Sequence, residues 1–105
     1  MKSIETVEQY KEVIQEGKVI MLFTADWCPD CQVLKPVLPE IEQQFSDYAF
    51  YSVDRDQLLD LCIEHDVFGI PSFIAYENGK EIGRFVSKER KTKEEVEQFI
   101  NGLNR

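Results

Sequence analysis

Val19-Ile20-Met21-Leu22-Phe23 leads through Thr24-Ala25-Asp26 into Trp27-Cys28-Pro29-Asp30-Cys31. The first five residues are wholly apolar and rich in branched side chains, which predicts a buried strand. Beyond the cysteines, Val33, Leu34, Val37, Leu38 and Ile41 recur at helical spacing, which predicts a helix over residues 28–44. Pro36 lies inside it and should kink it, because proline donates no N–H and crowds the preceding turn. The two cysteines thus stand where a strand ends and a helix begins. Orphan backbone N–H groups and the helix dipole favour a thiolate on the first of them there. Two cysteines at this spacing can also close a small disulfide ring, so a redox-active dithiol is the expected chemistry.

Working outward, Thr6-Val7-Glu8-Gln9 fits a capping box, and Val7, Tyr10, Val13 and Ile14 form the apolar stripe of a first helix ended by Gly17. Residues 49–53 read as another strand and residues 57–64 as a short helix. Ser72-Phe73-Ile74-Ala75-Tyr76 and Glu81-Ile82-Gly83-Arg84-Phe85 flank Asn78-Gly79, a strong signal for an antiparallel hairpin. Thr92-Lys93-Glu94-Glu95 is a second capping box, opening a helix with Val96, Phe99, Ile100 and Leu103 on one face. The order reads β-α-β-α-β-β-α, with a further short strand or helix at the start. That predicts an α/β fold across residues 1–105 as one domain, with a central mixed sheet, a C-terminal antiparallel hairpin and flanking helices.

Composition narrows the function. At 105 residues, with 43% hydrophobic side chains, the chain can bury a core without staples. Twenty acidic against twelve basic groups give a formal charge of −8, which argues against nucleic acid and anionic membranes as partners. Residues 1–6 carry no apolar segment or cleavage site, so no signal peptide is expected. Three cysteines do not make a secreted disulfide framework. A cytoplasmic location follows as an expectation. In that reducing compartment a lone CxxC points to catalysis or metal binding.

Taken together, the sequence resembles the thioredoxin family over nearly its whole length. The residues that carry the resemblance are Trp27-Cys28-Pro29-Asp30-Cys31, Pro36, Gly69-Ile70-Pro71 before the hairpin, and Asn78-Gly79 in its turn. The WCPDC form is similar to that of small cytosolic thioredoxin-related proteins. The resemblance implies that Cys28 is the nucleophile and Cys31 the resolving thiol, passing through a mixed disulfide with substrate. It implies a cis Pro71 facing the dithiol, with the backbone of Ile70 pairing with a substrate strand. Trp27, Pro29, Ile70, Pro71 and Ser87 would form the substrate-binding surface. It further implies disulfide-containing protein substrates, a thioredoxin reductase or a low-molecular-weight thiol as electron donor, no cofactor, no metal, and a monomer.

Three positions depart from the family pattern. The buried Asp that assists the resolving thiol is replaced by Leu22, and its Lys partner by Phe50. The Gly that shapes the substrate groove is replaced by Ser87, with Lys88 beside it. Asp30 offers a carboxylate close to the dithiol and is a candidate catalytic base for Cys31. Its other reading is simply an acidic residue in a first helical turn.

Two further readings compete. Replacement of the family's charged pair by Leu22 and Phe50 would suit a binding module that keeps the Pro71 groove and does little redox work. Cys62-Ile63-Glu64-His65, set against Cys28 and Cys31, completes a formal Cys3His zinc list. Against zinc, Cys62 also falls on an apolar stripe with Leu58, Leu59 and Leu61, and His65 then reads as a surface residue. Phe68 suits either an apolar rim or the core. The run from Lys88 to Lys93 reads as a solvated basic loop with the capacity to steer an acidic partner.

Overall fold

A computed structural model describes residues 1–103. Its strands are β1 (Lys2–Ile4), β2 (Lys18–Thr24), β3 (Ala49–Asp54), β4 (Ser72–Glu77) and β5 (Lys80–Phe85). Its helices are α1 (Val7–Val13), α2 (Pro29–Leu34), α3 (Leu38–Gln44), α4 (Leu59–Glu64) and α5 (Lys93–Gly102). The strands form one mixed sheet in the order β1-β3-β2-β4-β5. β1 and β2 run parallel to β3, while β2–β4 and β4–β5 are antiparallel.

The middle of β2, Val19 to Phe23, is wholly apolar and buried because both faces of the sheet are covered. Val19, Met21 and Phe23 pack with Tyr10, Leu61 and Cys62 on the side of α1 and α4. Ile20 and Leu22 pack with Leu34, Ile41, Val96 and Ile100 on the side of α2, α3 and α5. Phe50 joins this second cluster, so the two apolar replacements, Leu22 and Phe50, lie in the same core.

Several expectations are refined. The chain opens with a strand, β1. The helix expected over 28–44 is divided into α2, a 3₁₀ turn at Lys35–Val37 and α3. Pro36 sits in that turn and Pro39 in the first turn of α3, so two N–H donors are missing from one stretch. Val33 and Leu59, placed on apolar stripes by their spacing, are 55% and 44% exposed. Gln9 Oε1 accepts from Glu5 N rather than from Thr6 N, so the first capping box is only half closed, whereas the Thr92–Glu95 box is complete. Asn78 and Gly79 both take positive φ, and Asn78 also bonds back to Gly17.

Candidate active site

The site forms where the end of β2 meets the start of β4. Their antiparallel register sets Phe23 opposite Ser72, so the turn after β2 and the turn before β4 lie side by side at one end of the sheet. Cys28 is the N-cap of α2, and its Sγ accepts the Cys31 N–H at 3.2 Å. Pro29 is the first helical residue, where a missing N–H is harmless. The Ile70–Pro71 bond is cis, and the Ile70 carbonyl oxygen lies 4.0 Å from Cys28 Sγ.

The thiols are unlike in environment, although both are mostly buried. Burial raises the Cys31 pKa to about 11, helped by its bond with Cys28 and opposed by bonds from Thr24 and Ala25. Cys28 opens on a groove of about 340 Å³ lined by Trp27, Pro29, Asp30, Phe68, Ile70 and Lys88, with Gly69 and Arg55 at its edge. Cys31 lines a different cleft, of about 420 Å³, together with Thr24, Asp26, Ser52 and Pro71. Of the expected substrate-binding residues, Trp27, Pro29 and Ile70 therefore share the Cys28 groove, and Pro71 lines the cleft on the Cys31 side.

Trp27 is 59% exposed, yet it is held in place. Its Nε1–H is donated to Asp56, and the Arg55 guanidinium lies 5.7 Å from the ring centroid. Asp54 Oδ1 in turn accepts from the Asp56 and Gln57 N–H groups, fixing the turn that carries these partners. Phe68, 62% exposed, belongs to the rim.

The segment 87–91 closes the other side of the site and is tied down at both ends. Gly69 packs directly against it: a Cβ on Gly69 would stand 2.5 Å from the Ser87 carbonyl carbon and oxygen. Ser72 Oγ donates to the Gly69 carbonyl at 2.6 Å and also approaches Ser87 O. Ser87 thus supports the Gly69-Ile70-Pro71 turn from behind, and it is Lys88 that reaches the groove. Arg90 pairs with Asp30 at 3.0 Å. Lys91, expected in a solvated loop, is only 2% exposed. Nothing in the local charge pattern distinguishes it from Lys88 or Lys93, so the sequence reading missed it.

The zinc set does not assemble. Cys62 is buried in the α1–α4 core and its thiol pKa is raised by burial. His65, expected at the surface, is half-buried with its ring 5.1 Å from that of Tyr10. Among the described residues, no three His, Cys, Asp or Glu side chains are grouped to hold a metal ion.

A sequence model of the family described as Thioredoxin matches residues 2–102. The chain belongs to the thioredoxin family. Among its relatives, a thioredoxin H-type of Fagopyrum esculentum is 38% identical over 86 residues, covering 77% of this chain and 74% of the relative. The thioredoxin of Oryctolagus cuniculus is 30% identical over 106 residues, 98% of each chain. Thioredoxin-2 of Saccharomyces cerevisiae is 32% identical over 79% of this chain and 82% of its own. In three dimensions the thioredoxin-family fold superposes on Plasmodium falciparum thioredoxin with a TM-score of 0.86 at 21% identity, covering 97% and 98% of the two chains. Trypanosoma brucei brucei thioredoxin gives 0.86 at 23% identity, covering 97% and 88%. Membership carries the family's general role, thiol–disulfide oxidoreduction.

Proposed function

We propose that this chain reduces disulfides of proteins or small molecules through Cys28 and Cys31. The observation that carries the reading is Cys28 Sγ, capped by the Cys31 N–H and facing both the groove and the Ile70 carbonyl. The Cys28 thiolate attacks one sulfur of the substrate disulfide, forms a mixed disulfide and releases the other sulfur as a thiol. Cys31 then loses its proton and attacks Cys28. The Cys28–substrate bond breaks, and the second substrate sulfur leaves reduced with the Cys28–Cys31 disulfide behind it. Two electrons pass from the dithiol to the substrate.

Trp27, Pro29 and Ile70 would bind the substrate chain, with Pro71 and Ser87 shaping the turn that presents the Ile70 backbone. Asp30 is an auxiliary acceptor for the Cys31 proton. A thioredoxin reductase or a low-molecular-weight thiol would return the electrons. The setting we propose is a monomer in the cytoplasm; among the described residues no helix is long and apolar enough to cross a membrane. Leu22 and Phe50 alone do not favour an idle binding module, since both cysteines are retained at the start of α2 and the Cys31 N–H is donated to Cys28 Sγ.

The test is a redox titration. The protein is equilibrated across thiol/disulfide buffers, free thiols are alkylated, and the products are weighed. A reversible Cys28–Cys31 disulfide should form with a potential of about −200 to −270 mV, the span from glutaredoxins to thioredoxin. Thiols that stay reduced in every buffer would overturn the reading.

A further inference from the structure

Lys91 is the only buried side chain among the described residues that bears a charge. Its Nζ donates to Ser87 O at 3.2 Å, Ser87 Oγ at 3.1 Å and Glu89 O at 3.0 Å. All three partners are uncharged oxygens, so the ammonium is fully hydrogen-bonded without being neutralised. The Phe85 ring, 5.1 Å from Nζ at its centroid, covers it further.

The same loop is bound to the site at two points. Ser87 packs on Gly69, next to the cis Ile70–Pro71 bond, and Arg90 pairs with Asp30, which lies between the two cysteines. The ionisable groups that act on Lys91 are Cys31 and Asp30 from α2, Glu89 in its own loop and Glu95 from α5. Two of these carboxylates have partners of their own: Asp30 is engaged by Arg90 and Glu95 by the Thr92 N–H. Burial lowers the Lys91 pKa, and negative charge at Cys31 is the leading influence against that. On the sheet side, Leu22 and Phe50 are buried and uncharged. A fixed cation in such surroundings is weakly screened.

We propose that Lys91 is a positioning residue for the redox chemistry: its buried ammonium, fixed by Ser87 and Glu89 beside the Gly69-Ile70-Pro71 turn, supplies the positive field that favours the reduced dithiol over the disulfide. The inference rests on the dithiol reading above. Reduction of the Cys28–Cys31 bond takes two electrons from a thiol donor and leaves two sulfurs that either bind protons or stay negative. A neighbouring cation stabilises the negative form, which makes the disulfide easier to reduce.

The experiment compares the full chain with its Lys91→Met and Lys91→Arg variants in glutathione redox buffers, and titrates the thiolate absorbance of each. Lys91→Met should shift the equilibrium about tenfold toward the disulfide, a potential about 30 mV lower, and move thiolate formation to higher pH. Lys91→Arg, which keeps the charge, should stay within about twofold of the parent. A Lys91→Met protein with the parent's equilibrium and thiolate titration would overturn the proposal. Should that variant fail to fold, the parent protein still decides. Coupling is reciprocal, so the Lys91 ammonium, followed by NMR, must lose its proton at lower pH in the disulfide form than in the dithiol form. Identical titrations in the two forms would overturn it. If the parent's cysteines form no disulfide in any buffer, the function proposed above fails, and this inference fails with it.

Discussion

Arg90 donates its Nε–H to Asp30 Oδ1 at 3.0 Å, joining the loop after β5 to the residue between the two cysteines. The pair is partly exposed, so it adds roughly 1 kcal/mol or less to stability. Its greater effect is on chemistry, because the carboxylate oxygen nearest Arg90 is already engaged. A well-placed general base contributes about 10²–10⁴-fold, and we expect less here: Asp30→Asn should slow release of the mixed disulfide by no more than about tenfold. Stopped-flow measurement of that step checks it. An unchanged rate between pH 6 and 8 would remove Asp30 from the proton path.

The raised Cys31 pKa gives the resolving step a sign in pH. The attacking form is the thiolate, and Cys31 titrates near 11 in the dithiol. Below that value the thiolate fraction rises with pH, so resolution should quicken by about tenfold per unit between pH 7 and 9. Single-turnover kinetics on a preformed mixed disulfide read this slope. A flat profile would mean that Cys31 is already deprotonated when it attacks.

Removing the resolving thiol should trap the intermediate. Cys31→Ser should accumulate a covalent adduct of substrate on Cys28, visible by mass spectrometry and released by excess thiol, while Cys28→Ser should form none. An adduct on Cys31 in the Cys28→Ser protein would reverse the assigned roles.

Gly69 has no room for a side chain. A Cβ there would meet the Ser87 backbone at 2.5 Å and Lys88 N at 2.6 Å, and neither is a flexible side-chain end that can swing away. Gly69→Ala should destabilise the protein by about 1–3 kcal/mol in denaturant unfolding. It should also reduce turnover, since the turn that moves carries the Ile70 carbonyl.

On the opposite face, Tyr10 and Tyr76 share a buried hydrogen bond of 2.7 Å between their hydroxyls. Burial raises the pKa of both phenols, that of Tyr10 well above the usual tyrosine range. Tyr76→Phe leaves the Tyr10 hydroxyl without that partner and should cost about 1–3 kcal/mol, whereas the double change with Tyr10→Phe should recover part of the loss. Single-variant losses that simply add in the double variant would show that the bond contributes nothing.

Much of this was legible in the sequence because it depends on local patterns. The apolar run of β2, the cysteines at a helix start, the Asn78-Gly79 turn and the Thr92 cap each involve residues a few positions apart. Other features depend on the fold bringing distant residues together. Lys91 is buried because Ser87 and Glu89 curl around it, and Asp30 meets Arg90 only after the loop folds back. Asp56 anchors Trp27 from the turn after β3. The periodicity that put Val33 and Leu59 on apolar stripes was right for a helix, yet both side chains are exposed, because the α2 and α4 segments are too short to bury every residue on their stripe.

The pairing of Phe23 with Ser72 has a practical consequence. Neither half of the site is built within one strand: the dithiol hangs from the end of β2 and the Ile70–Pro71 turn from the start of β4. A slip of one residue between these strands would turn every side chain of one to the other face and carry the Ile70 carbonyl away from Cys28. The reactivity of a single sulfur is therefore a gauge of whether the middle of the sheet is correctly aligned, and thiol labelling can report on core damage far from any cysteine.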